Sequence, residues 1–265
     1  MHHIIGLLLR GIVALCLATT VASCGFLPIS RMSREGAAQL ESAPKLTPVD
    51  SSFGSCGPAG SQPDYVLNTR KNRVDESAWL DTPWSVVARL PWPRKVGYRF
   101  RNQWTVGERD EVARYEGAPV RVEGHLQGFK LEGREPTNCY SDDPAQRDYH
   151  LWLAEDTGGE RRRSVVVEIT PRVRVKHPAW TEARLDGLVS SQARIRVSGW
   201  LMLDQMHPER VQVNRATLWE VHPIMHIDVQ QSGRWMSLDS LPDVPQSTVT
   251  QTARPDGPVP TTPPH

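Results

Sequence analysis

Apolar and polar residues alternate most regularly between residues 118 and 230. Val120, Val122, Gly124 and Leu126 occupy every second position, as do Tyr149, Leu151 and Leu153, and then Val165, Val167 and Ile169. A period of two sends successive side chains to opposite faces, so each run reads as a half-buried strand. Thr157-Gly158-Gly159, between the second and third runs, predicts a hairpin turn. From Pro178 to Val189 the alternation stops, and Trp180, Ala183, Leu188 and Val189 fall near one face of a helix. Period two resumes at Ala193, Ile195, Val197, Gly199, Leu201 and Leu203, and again at Trp219, Val221, Met225, Ile227 and Val229.

Three strands, a helix and two strands is an order that resembles the oligonucleotide- and oligosaccharide-binding barrel, the OB-fold. The expected class is therefore mainly β: a five-stranded OB-like barrel over residues 118–240, with one helix between strands three and four. An antiparallel sandwich with a helix at one end fits the same order. Gly199, inside an otherwise regular strand, suits the sharp bend that a small barrel needs.

Upstream, residues 64–117 read as an N-terminal extension packed on the barrel. Thr105 and Glu108 have capping-box spacing, and the short helix they begin would end near Gly117. Trp84 to Leu90 could be strand or helix, stopped by Pro91 and Pro93. From Gly25 to Pro63, 17 of 39 residues are Gly, Pro or Ser, so residues 24–63 are expected to be a flexible tether. Seven prolines in the 25 residues from Leu241 to His265 predict an extended, solvated tail over 241–265.

The chain opens with a weakly basic stretch ending at Arg10 and a twelve-residue apolar run from Gly11 to Ala22. That is the length of a signal-peptide core, shorter than the roughly 20 residues of a spanning helix. At its end Val21-Ala22-Ser23-Cys24 resembles the lipobox of bacterial lipoproteins. The resemblance implies that residues 1–23 are removed and that Cys24 is acylated. Two or three acyl chains would make the membrane attachment effectively permanent. Gly25, in place of an Asp, resembles the pattern of lipoproteins sent to the outer membrane, facing the periplasm. An ordinary secretory signal, or a retained helix over Ile4 to Ala22, fits the same residues less fully. With Cys16 lost and Cys24 lipidated, Cys56 and Cys139 remain as natural disulfide partners in an oxidising envelope; the other reading is a lone functional thiol at Cys139.

Net charge is +1, but residues 116–240 carry sixteen Lys/Arg against eighteen Asp/Glu. A slightly acidic domain has no surplus for a broad phosphate-neutralising face, which argues against nucleic acid as a partner. The chain also resembles a family of uncharacterised bacterial proteins in Asn138-Cys139, Asp148-Tyr149-His150, Val166-Val167-Glu168-Ile169-Thr170-Pro171, Gly199-Trp200-Leu201-Met202 and Trp219-Glu220-Val221-His222-Pro223, over roughly residues 56–238. That resemblance implies a fold and no activity.

Chemistry concentrates on a few positions. On the last strand Glu220, His222, His226 and Asp228 share the polar face, where neighbours lie about 7 Å apart, although Pro223 should break the register before His226. Asp148 and His150 begin the second strand, Glu168 lies near the end of the third, and Asp204 and His207 sit between strands four and five. In OB-folds the loops after strands one and four flank the binding face; here these run from Lys130 to Arg147, with Asp142 and Asp143, and from Asp204 to Arg215. His150, Glu168, Asp204, His207, Glu220 and His222 are thus candidates for a divalent metal or for acid and base work, while a solvated outer face explains the same pattern. They show none of the short spacings usual for metal ligands, so neither a metal nor a catalytic residue is assigned, and no cofactor is expected beyond lipid on Cys24. Arg161-Arg162-Arg163 reads as an anion grip or a protected edge. Arg172, Arg174 and Lys176 would form a basic stripe along a strand, with Trp152 and Trp200 as candidate stacking platforms. The expected role is an envelope lipoprotein that binds a ligand or protein partner; the alternatives are a metal-dependent hydrolase and a single-strand nucleic-acid binder.

Overall fold

The computed structural model describes residues 29–49 and 52–242. The signal segment, Cys24 and the tail beyond residue 242 lie outside the described residues.

A closed five-stranded barrel forms the centre. Its strands are β2 (Pro119–Leu131), β3 (Tyr149–Ala154), β4 (Ser164–Ile169), β5 (Arg194–Leu203) and β6 (Trp219–Gln231), with the short β1 (Leu80–Asp81) beside β2 and β7 (Arg234–Ser237) beside β6. The path runs β2-β3-β4-β6-β5 and closes where β5 pairs back onto β2, from Pro119 opposite Trp200 to His125 opposite Arg194. All barrel pairings are antiparallel except β4 with β6, whose crossover carries the intervening helix. The OB-like order expected from the alternation is what forms.

Inward positions are the apolar ones: Val120, Val122, Leu126, Leu151, Leu153, Val165, Val167, Ile169, Ile195, Val197, Leu201, Val221 and Ile227 are all buried. Closure bends β5 and β6 together at Gly199, where the register skips from Ser198 opposite His226 to Gly199 opposite Ile224. A Cβ at Gly199 would stand 2.3 Å from the Pro223 carbonyl oxygen, so only glycine allows that approach.

Helices cover the barrel. They are α1 (Ile29–Ser42), α2 (Tyr65–Lys71), α3 (Trp84–Val87), α4 (Val106–Ala113), α5 (Pro171–Arg174) and α6 (Glu182–Ser191). The capping box at α4 forms as spaced, with the Glu108 amide donating to Thr105 Oγ1 and the Thr105 amide to Glu108 Oε2. Of the stretch from Trp84 to Leu90, Trp84–Val87 forms one helical turn, and α6 starts four residues later than its apolar pattern because Thr181 supplies the N-cap.

Two expectations change. The stretch read as tether contains α1, whose Leu40 is buried in the core and whose Gly36 lies against Val86, and it continues into a segment bonded to the barrel; the few apolar residues of this Gly/Pro/Ser-rich stretch suffice to dock it. Arg172, Val173 and Arg174 are not a strand but one helical turn, because Pro171 stands at the first helical position and ends β4. The hairpin turn expected at Thr157-Gly158-Gly159 does join antiparallel β3 and β4, inside a connection of residues 155–163 that ends in a 3-10 turn at Arg161–Arg163.

Two ties hold the segments ahead of β2 to the barrel. Cys56 and Cys139 form a disulfide across 83 residues, a loop length that contributes about 4–5 kcal/mol in the chain-entropy model. Arg101 donates to both oxygens of Glu116, at 2.6 Å each, and to the Leu203 carbonyl, while the Leu203 amide donates to Glu116 and Arg70 adds a further contact. Burial works to raise the Glu116 carboxyl, but Arg101 and Arg70 outweigh it and hold it below its ordinary 4.5. Ionised Glu116 therefore stabilises the fold at neutral pH, and this contribution fades as pH falls from 4.5 toward the lower folded value. Glu116→Gln is expected to lower urea stability at pH 7 by about 3 kcal/mol and to flatten the loss of stability between pH 5 and pH 3; an acid profile parallel to that of the parent chain would contradict this.

Candidate functional site

The same pleat that fills the barrel puts a polar stripe on its outer face. His150 pairs with Glu168 across β3 and β4, and Val166 pairs with Glu220 across β4 and β6. Two residues further along each strand, Glu168 and His222 therefore come to one level and one face. The loop after β2 brings Glu132, Glu135, Asn138 and Asp148, and the loop after β5 brings Asp204, His207 and Arg215. From above, α2 lowers Lys71.

Glu168 sits at the centre. Its Oε1 is 3.2 Å from His150 Nδ1, which is also 2.9 Å from Glu132 Oε1, and its Oε2 is 2.9 Å from His222 Nδ1. Beyond the His222 ring, Nε2 is 3.6 Å from Asp148 Oδ2, and Nδ1 is 3.3 Å from Glu220 Oε1. Lys71 Nζ stands 3.6 Å from the same Glu220 oxygen. Arg215 donates to Asp204 (2.6 Å) and to Glu220 (3.3 Å), and His207 Nδ1 donates to Asp204 at 2.7 Å. Asp148, Glu220 and His222 are completely buried, and Glu168 and Asp204 nearly so.

This burial would raise every carboxyl, so the ionisation of each follows from its neighbours. Asp148 is raised, by burial first and by Glu168 next. Burial pushes Glu135 up to about 8, with Lys71 opposing. Glu168 goes well below the carboxylate range despite burial, because His222, Lys71 and His150 surround it. Asp204 is lowered likewise, against burial, by Arg215 and His207. At His222, burial and Lys71 work against the charged ring, but Glu168 and Glu220 outweigh them and push it up to about 10.

All six sequence candidates thus fall in one connected network: His150 to Glu168, His222 and Glu220, then through Arg215 to Asp204 and His207. The other polar residues of the last strand separate from it after Pro223, as the broken register implied. His226 meets Glu76 at 2.7 Å and Asp228 pairs with Arg196. Asp142 and Asp143 stay at the exposed end of their loop. Neither Trp152 nor Trp200 is an open platform, since both are buried, with Arg161 over the first ring and Arg73 over the second. Arg172 is buried too, donating to Asn138 and to the Gly57 carbonyl. Sequence reasoning missed Lys71, Arg215, Glu132 and Glu135; position in the two flanking loops was the available signal for the last three, and Lys71 had none.

Over the network lie two adjoining hollows, of about 200 and 460 Å³, that share Lys71, Glu135, Asp204 and His207 as walls. The smaller is polar, with Lys130, His150, Glu168 and Arg210; the larger adds Leu67, Phe100, Tyr140 and Met206. Another hollow, at Asp81, Arg121, Glu123 and Arg194, is lined by charges already paired with one another. The arrangement around the first two can orient a small polar ligand, move a proton, or coordinate a cation.

The hydrogen bond to Asp204 raises the His207 imidazole above its ordinary 6.5, with burial opposing. The stabilisation this pair contributes is full below 6.5 and lost as pH rises through the raised value. An NMR titration should place His207 above 6.5 and bring it back toward that value in Asp204→Asn; a midpoint unmoved by the substitution would contradict the pairing.

Comparison with protein-family models, with curated proteins and with solved structures finds no match, so the fold and the site stand on their own geometry.

Proposed function

We propose that the protein is a cell-envelope lipoprotein, anchored through Cys24 in the outer membrane and facing the periplasm, whose OB-like barrel is a recognition module for a ligand or envelope partner seated between the loops after β2 and β5. The observation that carries this reading is the pair of hollows over the outer face of β3 and β4, bracketed by those two loops. A disulfide that ties the loop after β2 to the segment ahead of α2 suits an oxidising compartment. Among the described residues no helix is long and apolar enough to cross a membrane, and the lipid is the proposed attachment.

The smaller hollow is lined by four lysines and arginines (Lys71, Lys130, Arg210, Arg215) and four carboxylates (Glu132, Glu135, Glu168, Asp204). That balance argues against single-strand nucleic acid, which calls for a net positive groove. A metal-dependent hydrolase is the second reading, favoured by the grouping of Glu132, His150 and Glu168 at the floor of that hollow.

Metabolic labelling with palmitate in a bacterial host is expected to mark the chain and to fail for Cys24→Ser. A photo-reactive side chain at Met206 should form adducts in intact envelopes, whereas one at Met236, which lines neither hollow, should not. Label retained without Cys24, or equal adducts at both positions, would overturn the reading.

A further inference from the structure

Asp148, Glu168 and His222 come from three separate segments, the end of a loop, β4 and β6, yet each offers a ligand atom within 4.8 Å of the other two. We propose that these three side chains hold a divalent first-row metal ion, zinc or manganese, beneath the floor of the smaller hollow.

The strongest argument is how the carboxylates divide their oxygens. Asp148 Oδ1 accepts from Asn138 at 2.8 Å, Glu168 Oε1 faces His150, and Glu220 Oε2 faces Arg215. In each case the other oxygen points toward the His222 ring without an aligned hydrogen bond: Glu168 Oε2 and Glu220 Oε1 face Nδ1 as ion pairs, and Asp148 Oδ2 stands 3.6 Å off Nε2. Outer partners that fix one oxygen and leave its twin free are the usual support of a metal-binding carboxylate. A buried polar atom without an aligned partner is costly.

Distance and charge point the same way. Ligand atoms each about 2.1 Å from one ion stand about 3.0–3.6 Å apart for angles between 90° and 120°. His222 Nδ1 lies 2.9 Å from a Glu168 oxygen and Nε2 lies 3.6 Å from an Asp148 oxygen; an ion takes one ring nitrogen, which with the two oxygens falls within 4.8 Å, so binding would draw the three groups slightly together. A protonated His222 would answer the charge of Glu168 but leave Asp148 Oδ2 beyond hydrogen-bond reach. Lys71 stands 3.6 Å from Glu220, and Arg215 is divided between Glu220 and Asp204, so three buried carboxylates share few full cations. One imidazole with two carboxylates is a donor set for zinc or manganese rather than for calcium or copper(I). The inference is independent of the envelope reading and of what occupies the hollows.

The full chain, stripped with a chelator and titrated with zinc or manganese chloride, should take up one ion, unfold at a higher temperature and, with manganese, broaden the aqueous Mn²⁺ paramagnetic signal. Asp148→Asn and Glu168→Gln keep side-chain volume; each should weaken uptake about ten- to hundredfold or more while circular dichroism shows the barrel intact, and Glu132→Gln should not. Folded parent chain that takes up neither ion, or uptake lost in Glu132→Gln and kept in Asp148→Asn, would overturn the proposal.

Discussion

Burying carboxylates on the outside of a β-barrel imposes a requirement that the rest of this structure meets: each negative charge withdrawn from water needs a counter-charge or donor brought to it. The barrel strands supply part of this through His150 and His222, while their inward positions are committed to the apolar core. The remaining counter-charges and donors come from outside the strands. Lys71 arrives on α2, Arg215 on the loop after β5, and Asn138 on the loop after β2. The extension is therefore part of the site, and the disulfide together with the bonds of Arg101 and Glu116 to Leu203 ties the segments ahead of β2 to the barrel.

This division of labour explains why a site of this kind sits where it does. The face of β3 and β4 between the two long loops is where an OB-like barrel is open to ligands, and here a lid of helix and loop narrows that face to two hollows with a charged floor. A rigid polar floor under a partly apolar cleft is suited to selecting a ligand by the placement of a few polar groups. Tethering by lipid would keep such a module at the membrane surface.

Much of the barrel was legible because its signal is local. Val165, Val167 and Ile169 alternate whatever surrounds them, and the break at Pro223 could be read from one residue. Glu220 and His222 were legible for the same reason, as polar residues in the outward register of a strong strand. What escaped depends on contacts distant in sequence. Lys71 lies in a short helix whose apolar residues show no clear period, and only folding sets it over Glu220, 149 positions away. Trp152 and Trp200 looked like candidate platforms until arginines from other segments covered them. Arg172, Val173 and Arg174 alternate well enough for a strand, but Pro171 fixes the backbone before that pattern can act.

A double-mutant cycle between Lys71 and Glu220 tests the charge requirement most directly. Lys71→Met alone should cost about 3–5 kcal/mol, since it strands a buried carboxylate, and adding Glu220→Gln should recover much of that loss, giving a coupling above about 1 kcal/mol. Two costs that simply add would show that Lys71 does not compensate the buried acids, and the extension would then be a covering layer rather than part of the site.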